Sequence, residues 1–259
     1  MNAIQSFAAS WLPVRDTYRN RAGKLLIVGA VLGISTFTFV CPPALAVDAA
    51  KDASFVQIFN GSSLDGWEGK PEFWSVQEGV IVGQTTAEKP TNGNTFLIWR
   101  KGNLDDFELR LLYKITGGNS GIQYRSKDYG NFVVGGYQAD FEAGPTYSGI
   151  QYEEKGRGIL AKRGERITIA SDGKKTAGEP IDSTENLQKV IKPGDWNEYR
   201  VIAKGPKLSH LINGQLMSEL DDSETGKRAA TGVLALQLHA GPPMKVEFKE
   251  IQLKRFPQQ

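Results

Sequence analysis

Glutamine, arginine, aspartate and histidine alternate with apolar residues in three segments of this 259-residue chain. The segments are "GIQYR", "GGYQADF" and "LALQLHA", and their polar residues are Gln123, Arg125, Gln138, Asp140, Gln237 and His239. Because successive side chains of a β-strand point to opposite faces, each segment would place its polar residues on one face and its apolar residues on the other. Amide, guanidinium and carboxylate groups make directional hydrogen bonds of the kind that sugar hydroxyls accept and donate.

The pentapeptide "SGIQY" occurs at 120–124 and again at 148–152, with different flanking residues. We interpret the two copies as strands with the same role, and not as a duplication. The same alternation then predicts Ile150 and Tyr152 in the core and Gln151 on the polar face. Such a face could also be the solvated side of an antiparallel sheet. The use of Gln and Arg, where a plain solvated face has mainly Lys, Glu, Thr and Ser, favours a binding surface.

From residue 54 onwards the chain has the pattern of consecutive β-strands. Short β-branched or aromatic runs are separated by glycine, proline or Asn-Gly, and Asn213-Gly214 is typical of a two-residue hairpin turn. Residues 182–191 fit either a short helix or a loop. The pattern predicts an all-β sandwich or jelly roll, with the first strand beside the last.

The first 46 residues have the features of a secretory signal peptide. Basic residues precede the apolar run Leu25–Val40, and a small-residue cleavage site follows at Ala44 and Ala46. An uncleaved membrane anchor is the alternative, but a span usually needs about 20 apolar residues. We therefore expect a periplasmic or secreted protein that meets the membrane only through its leader.

The charge balance after the leader argues against nucleic acid as a partner. The whole chain has 31 basic and 29 acidic residues, and the leader holds four of the basic residues and one of the acidic residues. Residues 47–259 therefore hold 27 basic and 28 acidic residues, which gives a net charge of −1. No basic patch interleaved with aromatic residues stands out. The single cysteine, Cys41, lies in the leader, so no disulfide is expected in the mature chain.

Several longer motifs occur in a characteristic order between residues 54 and 255. They include "FNGSSLDGW", "DFELRLLYKI", "GNSGIQYRS", "GIQYEEKGRGILAKRGE" and "LQLHAGPPMKVEF". In this order the chain resembles the 3-keto-disaccharide hydrolase family. The resemblance implies an all-β domain over residues 54–255, folded as a concanavalin-like jelly-roll sandwich of two antiparallel sheets. It also implies cleavage of the glycosidic bond of a sugar already oxidised to a ketone at C3, with an oligosaccharide or 3-keto glycoside as substrate.

A C3 ketone acidifies the proton on C2, so a base can remove it and the C1 substituent can leave by elimination, after which water adds. On this basis His239 and Asp140 are the candidate proton-transfer groups and Arg125 is the candidate partner of the enolate oxygen. Four glutamines are the candidate hydroxyl-binding residues: Gln123, Gln138, Gln151 and Gln237. Asp140, Glu142 and His239 could also ligate a divalent ion, although their spacing matches no dedicated metal motif, and no cofactor is certain.

Alternatives remain open at this point. A non-catalytic carbohydrate-binding or lectin-like protein could have the same fold. We expect His210 to be a surface residue, because it adjoins the hairpin. Four tryptophans are expected to pack in the core or at sheet edges: Trp67, Trp74, Trp99 and Trp196. The basic residues Arg157, Lys162, Arg163 and Arg166 have the pattern of a solvated loop.

The leader interpretation predicts where the mature protein begins. We expect N-terminal sequencing of the protein from its native host to start at or near Val47, because cleavage follows the small residues of the leader. A sequence that begins at Met1, with the apolar run retained, would indicate a membrane anchor instead.

Overall fold

Two β-sheets and one short helix account for the regular structure of the computed structural model, which describes residues 54–257. The leader predicted for residues 1–46 lies outside this range. In chain order the elements are β1 (Val56–Gln57), β2 (Trp67–Glu68), β3 (Trp74–Gln77), β4 (Val80–Gln84), β5 (Thr95–Leu104), β6 (Phe107–Thr116), β7 (Asn119–Asp128), β8 (Val134–Glu142), β9 (Gln151–Glu154), β10 (Gly158–Ala161), β11 (Arg166–Ile169), β12 (Lys175–Ala177), α1 (Thr184–Gln188), β13 (Asn197–Lys204), β14 (Lys207–Ile212), β15 (Gln215–Asp222), β16 (Gly232–Leu238) and β17 (Lys245–Arg255). Within residues 54–257, no helix is long and apolar enough to cross a membrane.

The first sheet has ten strands in the order β12-β11-β15-β14-β13-β6-β17-β4-β3, and β1 also pairs with β17. The second sheet has seven strands in the order β10-β9-β8-β7-β16-β5-β2. The predicted all-β sandwich is therefore confirmed. All pairs are antiparallel except β11 with β15, which run parallel because the chain crosses from the second sheet to the first between β10 and β11.

The core lies between the two sheets and is built by alternating residues. Strand β6 shows the pattern most clearly, with Phe107, Leu109, Leu111 and Tyr113 buried and the residues between them partly exposed. Strands β8 and β16 supply the facing layer from the second sheet. The central strands of the second sheet, β7, β8 and β16, are buried on both faces, because a second small cluster of apolar residues covers part of the outer face.

Local turn signals in the sequence agree with the structure. Asn213 and Gly214 have φ angles of +50° and +80°, as a type I′ hairpin requires, and join β14 to β15. The segment that fitted either a helix or a loop contains α1, which Ser183 caps by accepting a hydrogen bond from the backbone N–H of Asn186. Val56 of the first strand pairs with Leu253 of the last, so the predicted closure of the sheet is confirmed.

Two polar residues expected on the surface are buried instead. His210 is fully buried because β14 turns its residues 208, 210 and 212 inward, and its ring contacts the Tyr124 hydroxyl and the Ile150 carbonyl. Burial lowers the pKa of His210 to about 3, so the ring stays neutral. Arg163 is only 3% exposed and donates to the carbonyls of Ser148 and Pro145. Both surface assignments were wrong, whereas Trp67, Trp74 and Trp99 are buried as expected.

Strand β17 lies at the centre of the first sheet, where it pairs with β1, β4 and β6. Phe248 is fully buried and contacts the ring of Phe141 in β8 across the sandwich. We expect Phe248→Ala to lower the free energy of unfolding by about 3–5 kcal/mol, because it leaves a cavity in the core. Urea unfolding measures this value. Val56→Ala, on a side chain that is 63% exposed, is the control and should change it by less than about 0.5 kcal/mol; equal effects of the two variants would contradict this account of the core.

Candidate functional site

Strand register shows which residues share the outer face of the second sheet. Gln123 of β7 pairs with Gln138 of β8, which pairs with Tyr152 of β9. Residues that pair directly across neighbouring strands point to the same side of a sheet, so these three share one face. Gln237 of β16 belongs to the same face, because it follows Ala235, the partner of Gln123, by two residues.

The two copies of "SGIQY" therefore face opposite ways. Gln151 pairs with Ala139, which points into the core, so Gln151 lies between the sheets. There it accepts a hydrogen bond from the Tyr124 hydroxyl at 3.1 Å and donates to the Leu208 carbonyl at 3.3 Å. The expectation that Gln151 lies on the polar face was wrong, and Tyr152 takes that position.

Arg125 also leaves the expected face, because β7 has a β-bulge. The register against β8 shifts between Tyr124 and Lys127, and Arg125 itself has a φ angle of +46°. Its guanidinium donates to the carbonyls of Asp105 and Gly205 and to the carboxylate of Asp106, at 2.6–2.8 Å. Strand alternation predicts Arg125 on the same face as Gln123. The bulge instead turns the Arg125 side chain away from Asp140, so Arg125 does not belong to a site around Asp140.

The remaining three glutamines form one hydrogen-bonded group with Asp140. The Gln138 oxygen accepts from the side-chain amides of Gln123 at 2.6 Å and Gln237 at 3.0 Å. With its oxygen held in this way, the Gln138 amide nitrogen donates to Asp140 Oδ1 at 2.7 Å. Gln123 is fixed in turn by the hydroxyl of Ser126, which donates to its oxygen at 2.6 Å.

Gly121 makes this arrangement sterically possible. A Cβ atom at this position would lie 2.5 Å from two side-chain carbons of Gln138 and 2.7 Å from its amide nitrogen. Gly121 pairs with Asp140 across the sheet, so the bare backbone of β7 is the surface over which Gln138 reaches Asp140.

The three glutamines are almost completely buried, although Gln138 borders a cavity. Gln123 and Gln237 are fully buried and Gln138 is 2% exposed. Phe132, from the connection between β7 and β8, packs on a small cluster that contains Phe96 and Ala235. These amides therefore bind one another and Asp140, which corrects their predicted role as groups that bind sugar hydroxyls.

Asp140 lies at the base of a cavity of about 360 Å³, which we call the Asp140 pocket. The pocket is lined by Asn119, Gln138, Asp140, Glu142, Tyr147, Ile150, Tyr152, Glu154, Ile159 and His239. Burial raises the pKa of the Asp140 carboxyl to about 7, and nearby Glu142 and Glu154 act in the same direction. The hydrogen bonds from Gln138 and Asn119 act in the opposite direction and favour the carboxylate. Asp140 can therefore exchange a proton near neutral pH.

His239 follows β16 directly and lies at the edge of the same pocket. Its Nδ1 contacts the Ala240 carbonyl, which can only accept a hydrogen bond, so this contact favours the tautomer with a proton on Nδ1. The other ring nitrogen, Nε2, is then the atom that can exchange a proton with a bound molecule.

The three candidate metal ligands all line the Asp140 pocket, but they do not form a metal-binding cluster. Glu142 Oε1 accepts hydrogen bonds from the backbone N–H groups of Thr146 and Tyr147, and Asp140 is bound by Gln138 and Asn119. Among the residues that the structure describes, no group of three or more His, Cys, Asp or Glu side chains is arranged to hold a metal ion.

The sequence patterns did not identify several residues that line the Asp140 pocket. Asn119 precedes Gly121 and Gln123 by steps of two, so alternation along β7 could have identified it. Tyr152 and Glu154 could not be identified in this way, because the face of β9 depends on its pairing with β8. Tyr147 lies on the loop between β8 and β9, where no periodic pattern applies.

Solved structures show which class of fold this is. The chain is similar to a Bacillus subtilis protein of unknown function with a galectin-like fold, at 8% identity and a TM-score of 0.52, over 76% of this chain and 92% of that one. It is also similar to a protein from Parabacteroides distasonis ATCC 8503 that is proposed to be a glycosyl hydrolase, at 16% identity and a TM-score of 0.50, over 78% of this chain and 99% of that one. The Bacillus subtilis carbohydrate-binding module CBM66 matches at 14% identity and a TM-score of 0.49, over 73% of this chain and 95% of the module. At such low identity the likeness concerns the fold alone, a β-sandwich of the galectin and jelly-roll kind.

A sequence match that covers nearly all of the described residues shows the family of this protein. The model of the 3-keto-alpha-glucoside-1,2-lyase-like domain matches residues 54–254, well over half of the chain, so the protein belongs to this family. No curated protein matches the chain.

The hydrogen bond from Gln138 should control the proton affinity of Asp140. We expect Gln138→Leu to raise the pKa of the Asp140 carboxyl above its value of about 7, because the carboxylate loses its shortest hydrogen bond while burial remains. A carbon-13 NMR titration measures this pKa, with the signal assigned by its loss in Asp140→Asn. Gln237→Leu is the matched control, since it removes a donor to Gln138 but leaves Asp140 bound, and it should cause a smaller change. A pKa that stays constant or falls in Gln138→Leu would refute the proposed control.

Proposed function

We propose that this protein cleaves 3-keto glycosides by eliminating the substituent at C1 and then adding water, which amounts to hydrolysis. The observation that carries the proposal is the Asp140 carboxyl, a buried acid with a pKa of about 7 at the base of the pocket. Membership of the 3-keto-alpha-glucoside-1,2-lyase-like family supports the same chemistry. A flanking pair of carboxylates, as in ordinary glycosidases, is not needed when the ketone activates the substrate.

In the first step Asp140 acts as the base. Its carboxylate removes the proton from C2, and the electrons of the C2–H bond move into the C3 carbonyl to give an enolate. A catalytic base is most effective when its pKa lies near the working pH, and burial brings Asp140 to that range.

The enolate oxygen needs a hydrogen-bond donor that remains neutral. Burial raises the pKa of the Tyr152 phenol, with Glu154 and Asp140 adding to the effect, so its hydroxyl stays protonated at neutral pH. The amide of Asn119 offers a second donor on the same wall of the pocket. These two residues take the role that the sequence had suggested for Arg125.

In the second step the C1–O bond breaks and the enolate electrons form the C1–C2 double bond. The departing oxygen takes a proton from Nε2 of His239 in its protonated form. Water then adds at C1 and gives a proton to Nε2 of His239, while C2 recovers a proton from Asp140, so both groups return to their starting forms. The net result is a free 3-keto sugar and a free alcohol.

We further propose that the protein works outside the cytoplasm on a saccharide. The leader motif supports export, and the slightly acidic composition after the leader gives no support for nucleic-acid binding. An exported enzyme of this kind would meet oligosaccharides or glycosides directly.

The test is turnover of a 3-keto glucoside by the purified mature protein and two variants. We expect Asp140→Asn and His239→Ala each to lower kcat by roughly a hundred- to ten-thousand-fold, because each removes a proton-transfer group. For the wild type, kcat/KM should fall as the pH drops through about 7, because Asp140 becomes protonated. Asp65→Asn, at an exposed aspartate outside the pocket, is the matched control and should keep full activity.

The folded state of the variant can be checked by its stability. Because folding raises the pKa of Asp140, the folded protein binds more protons than the unfolded chain between about pH 4 and pH 7, and this residue lowers stability as the pH rises through that range. Asp140→Asn removes this effect, so its thermal midpoint at pH 8 should equal or exceed that of the wild type. Full turnover in both site variants would rule out the mechanism. Absence of turnover in the wild type, with sugar binding retained, would favour the carbohydrate-binding alternative.

A further inference from the structure

A second and larger cavity lies beside strand β9, next to the Asp140 pocket. Its volume is about 700 Å³, within the range of about 300–1,000 Å³ that is usual for ligand sites. It is formed by the ends of β5 and β7, the starts of β8 and β16, and the turn between β9 and β10. We call it the Tyr129 groove and define it by Asn103, Lys127, Tyr129, Lys155, Arg157 and Thr231.

The two cavities meet at Glu154. This residue lines both of them, with Tyr152 on the side of the Asp140 pocket and Lys155 on the side of the groove. Three residues of a strand span about 10 Å, so a molecule bound in the pocket lies within a short distance of the groove.

His239 lies toward the same junction. Asn94 links the two, since its oxygen accepts from the backbone N–H of Ala240 at 2.9 Å and its nitrogen donates to Glu154 at 3.4 Å. Asn94 precedes β5, and β5 and β9 are separated by three strands, so this contact passes over the outer face of the sheet. The proposed acid for the departing oxygen is therefore connected, through Ala240 and Asn94, to the residue that lines both cavities.

The surface of the groove offers the groups that bind sugars. Tyr129 is 53% exposed, and an exposed aromatic ring can pack against the C–H face of a pyranose. The amide of Asn103 and the hydroxyl of Thr231 can exchange hydrogen bonds with sugar hydroxyls. Lys127 Nζ lies over one face of the Tyr129 ring, 5.1 Å from its centroid, so the opposite face of the ring is the one that a sugar can approach. Among the described residues, Lys127 and Lys155 form no ion pair, and their ammonium groups can donate hydrogen bonds to a sugar.

Other charged residues of the groove form ion pairs within the protein. Arg157 pairs with Glu153, Asp222 and Glu224 at 2.7–2.9 Å. Asp128, on the opposite wall, pairs with Arg100 at 2.6 Å. The walls are thus held in place, and the groove has no large excess of charge that would favour a strongly ionic ligand.

The backbone around the groove contains residues in the left-handed region that side chains rarely adopt. Lys155 has a φ angle of +56°, and Asn131 and Phe132, just beyond Tyr129, have +52° and +57°. Such conformations persist where surrounding contacts fix them, and they occur often at ligand-binding segments. They hold Tyr129 and Lys155 at the rim of the groove.

We propose that the Tyr129 groove binds the sugar units attached through the C1 oxygen, on the leaving-group side of the substrate. This inference rests on the proposed function, because the Asp140 pocket is taken to hold the oxidised sugar. The protein then acts on 3-keto oligosaccharides in preference to simple 3-keto glycosides.

The test compares substrates of increasing length: methyl 3-keto-α-glucoside, 3-keto-maltose and 3-keto-maltotriose, each oxidised at the non-reducing sugar. For the wild type, kcat/KM should rise with each added unit. Tyr129→Ala and Lys127→Ala should each lower kcat/KM for the trisaccharide about tenfold and change it less than twofold for the methyl glycoside. Lys174→Ala, at an exposed lysine in the turn between β11 and β12, is the matched control and should behave as wild type.

The outcomes distinguish failure of the proposed sugar-binding groove from failure of the proposed reaction. A kcat/KM that does not depend on length, or variants that lower it equally for all three substrates, would overturn the groove while the proposed function stands. If the wild type turns over none of the substrates, the proposed function fails, and the groove is then judged by calorimetric titration with maltotriose. Binding that Tyr129→Ala abolishes would support a saccharide site in the groove, and no binding to the wild type would refute it.

Discussion

The hydrogen bond between the Gln138 amide and the Asp140 carboxylate is the interaction on which the site depends. A carboxylate removed from water strongly favours its protonated form, and a donated hydrogen bond favours the charged form. The two effects together leave the Asp140 pKa at about 7. Gln138 can donate only because Gln123 and Gln237 both occupy its oxygen, which fixes the orientation of the amide.

This small network requires a particular backbone. Gly121 provides the bare strand surface over which Gln138 lies, and a methyl group there would overlap the glutamine side chain. The opposite face of the same strands carries Ile122 and Ala139, which pack in the main core. The stable packing of the sandwich therefore also fixes the positions of the polar network on its outer face, since both depend on one register.

The three glutamines of the outer face are buried and form hydrogen bonds within the protein. A binding face would expose its amides to the ligand, whereas Gln123, Gln138 and Gln237 are at most 2% exposed and bond one another. The accessible groups are instead Asp140, His239 and their neighbours in the pocket. The fold alone does not decide between a binding module and an enzyme, and the catalytic role proposed for Asp140 depends on this network.

The sequence by itself determined the all-β sandwich, the Asn213-Gly214 hairpin and the grouping of Gln123, Gln138 and Asp140 on one face, because strand alternation and turn chemistry are local properties. It could not determine which face of β9 turns inward, because the pattern "SGIQY" is the same in both copies and only pairing with β8 orients the second. Nor could it reveal that Arg125 leaves the face, since a bulge adds a residue without any periodic signal. Alternation defines two faces for each strand, whereas burial, hydrogen-bond partners and the pKa of Asp140 arise only when the strands are in register and other segments cover them.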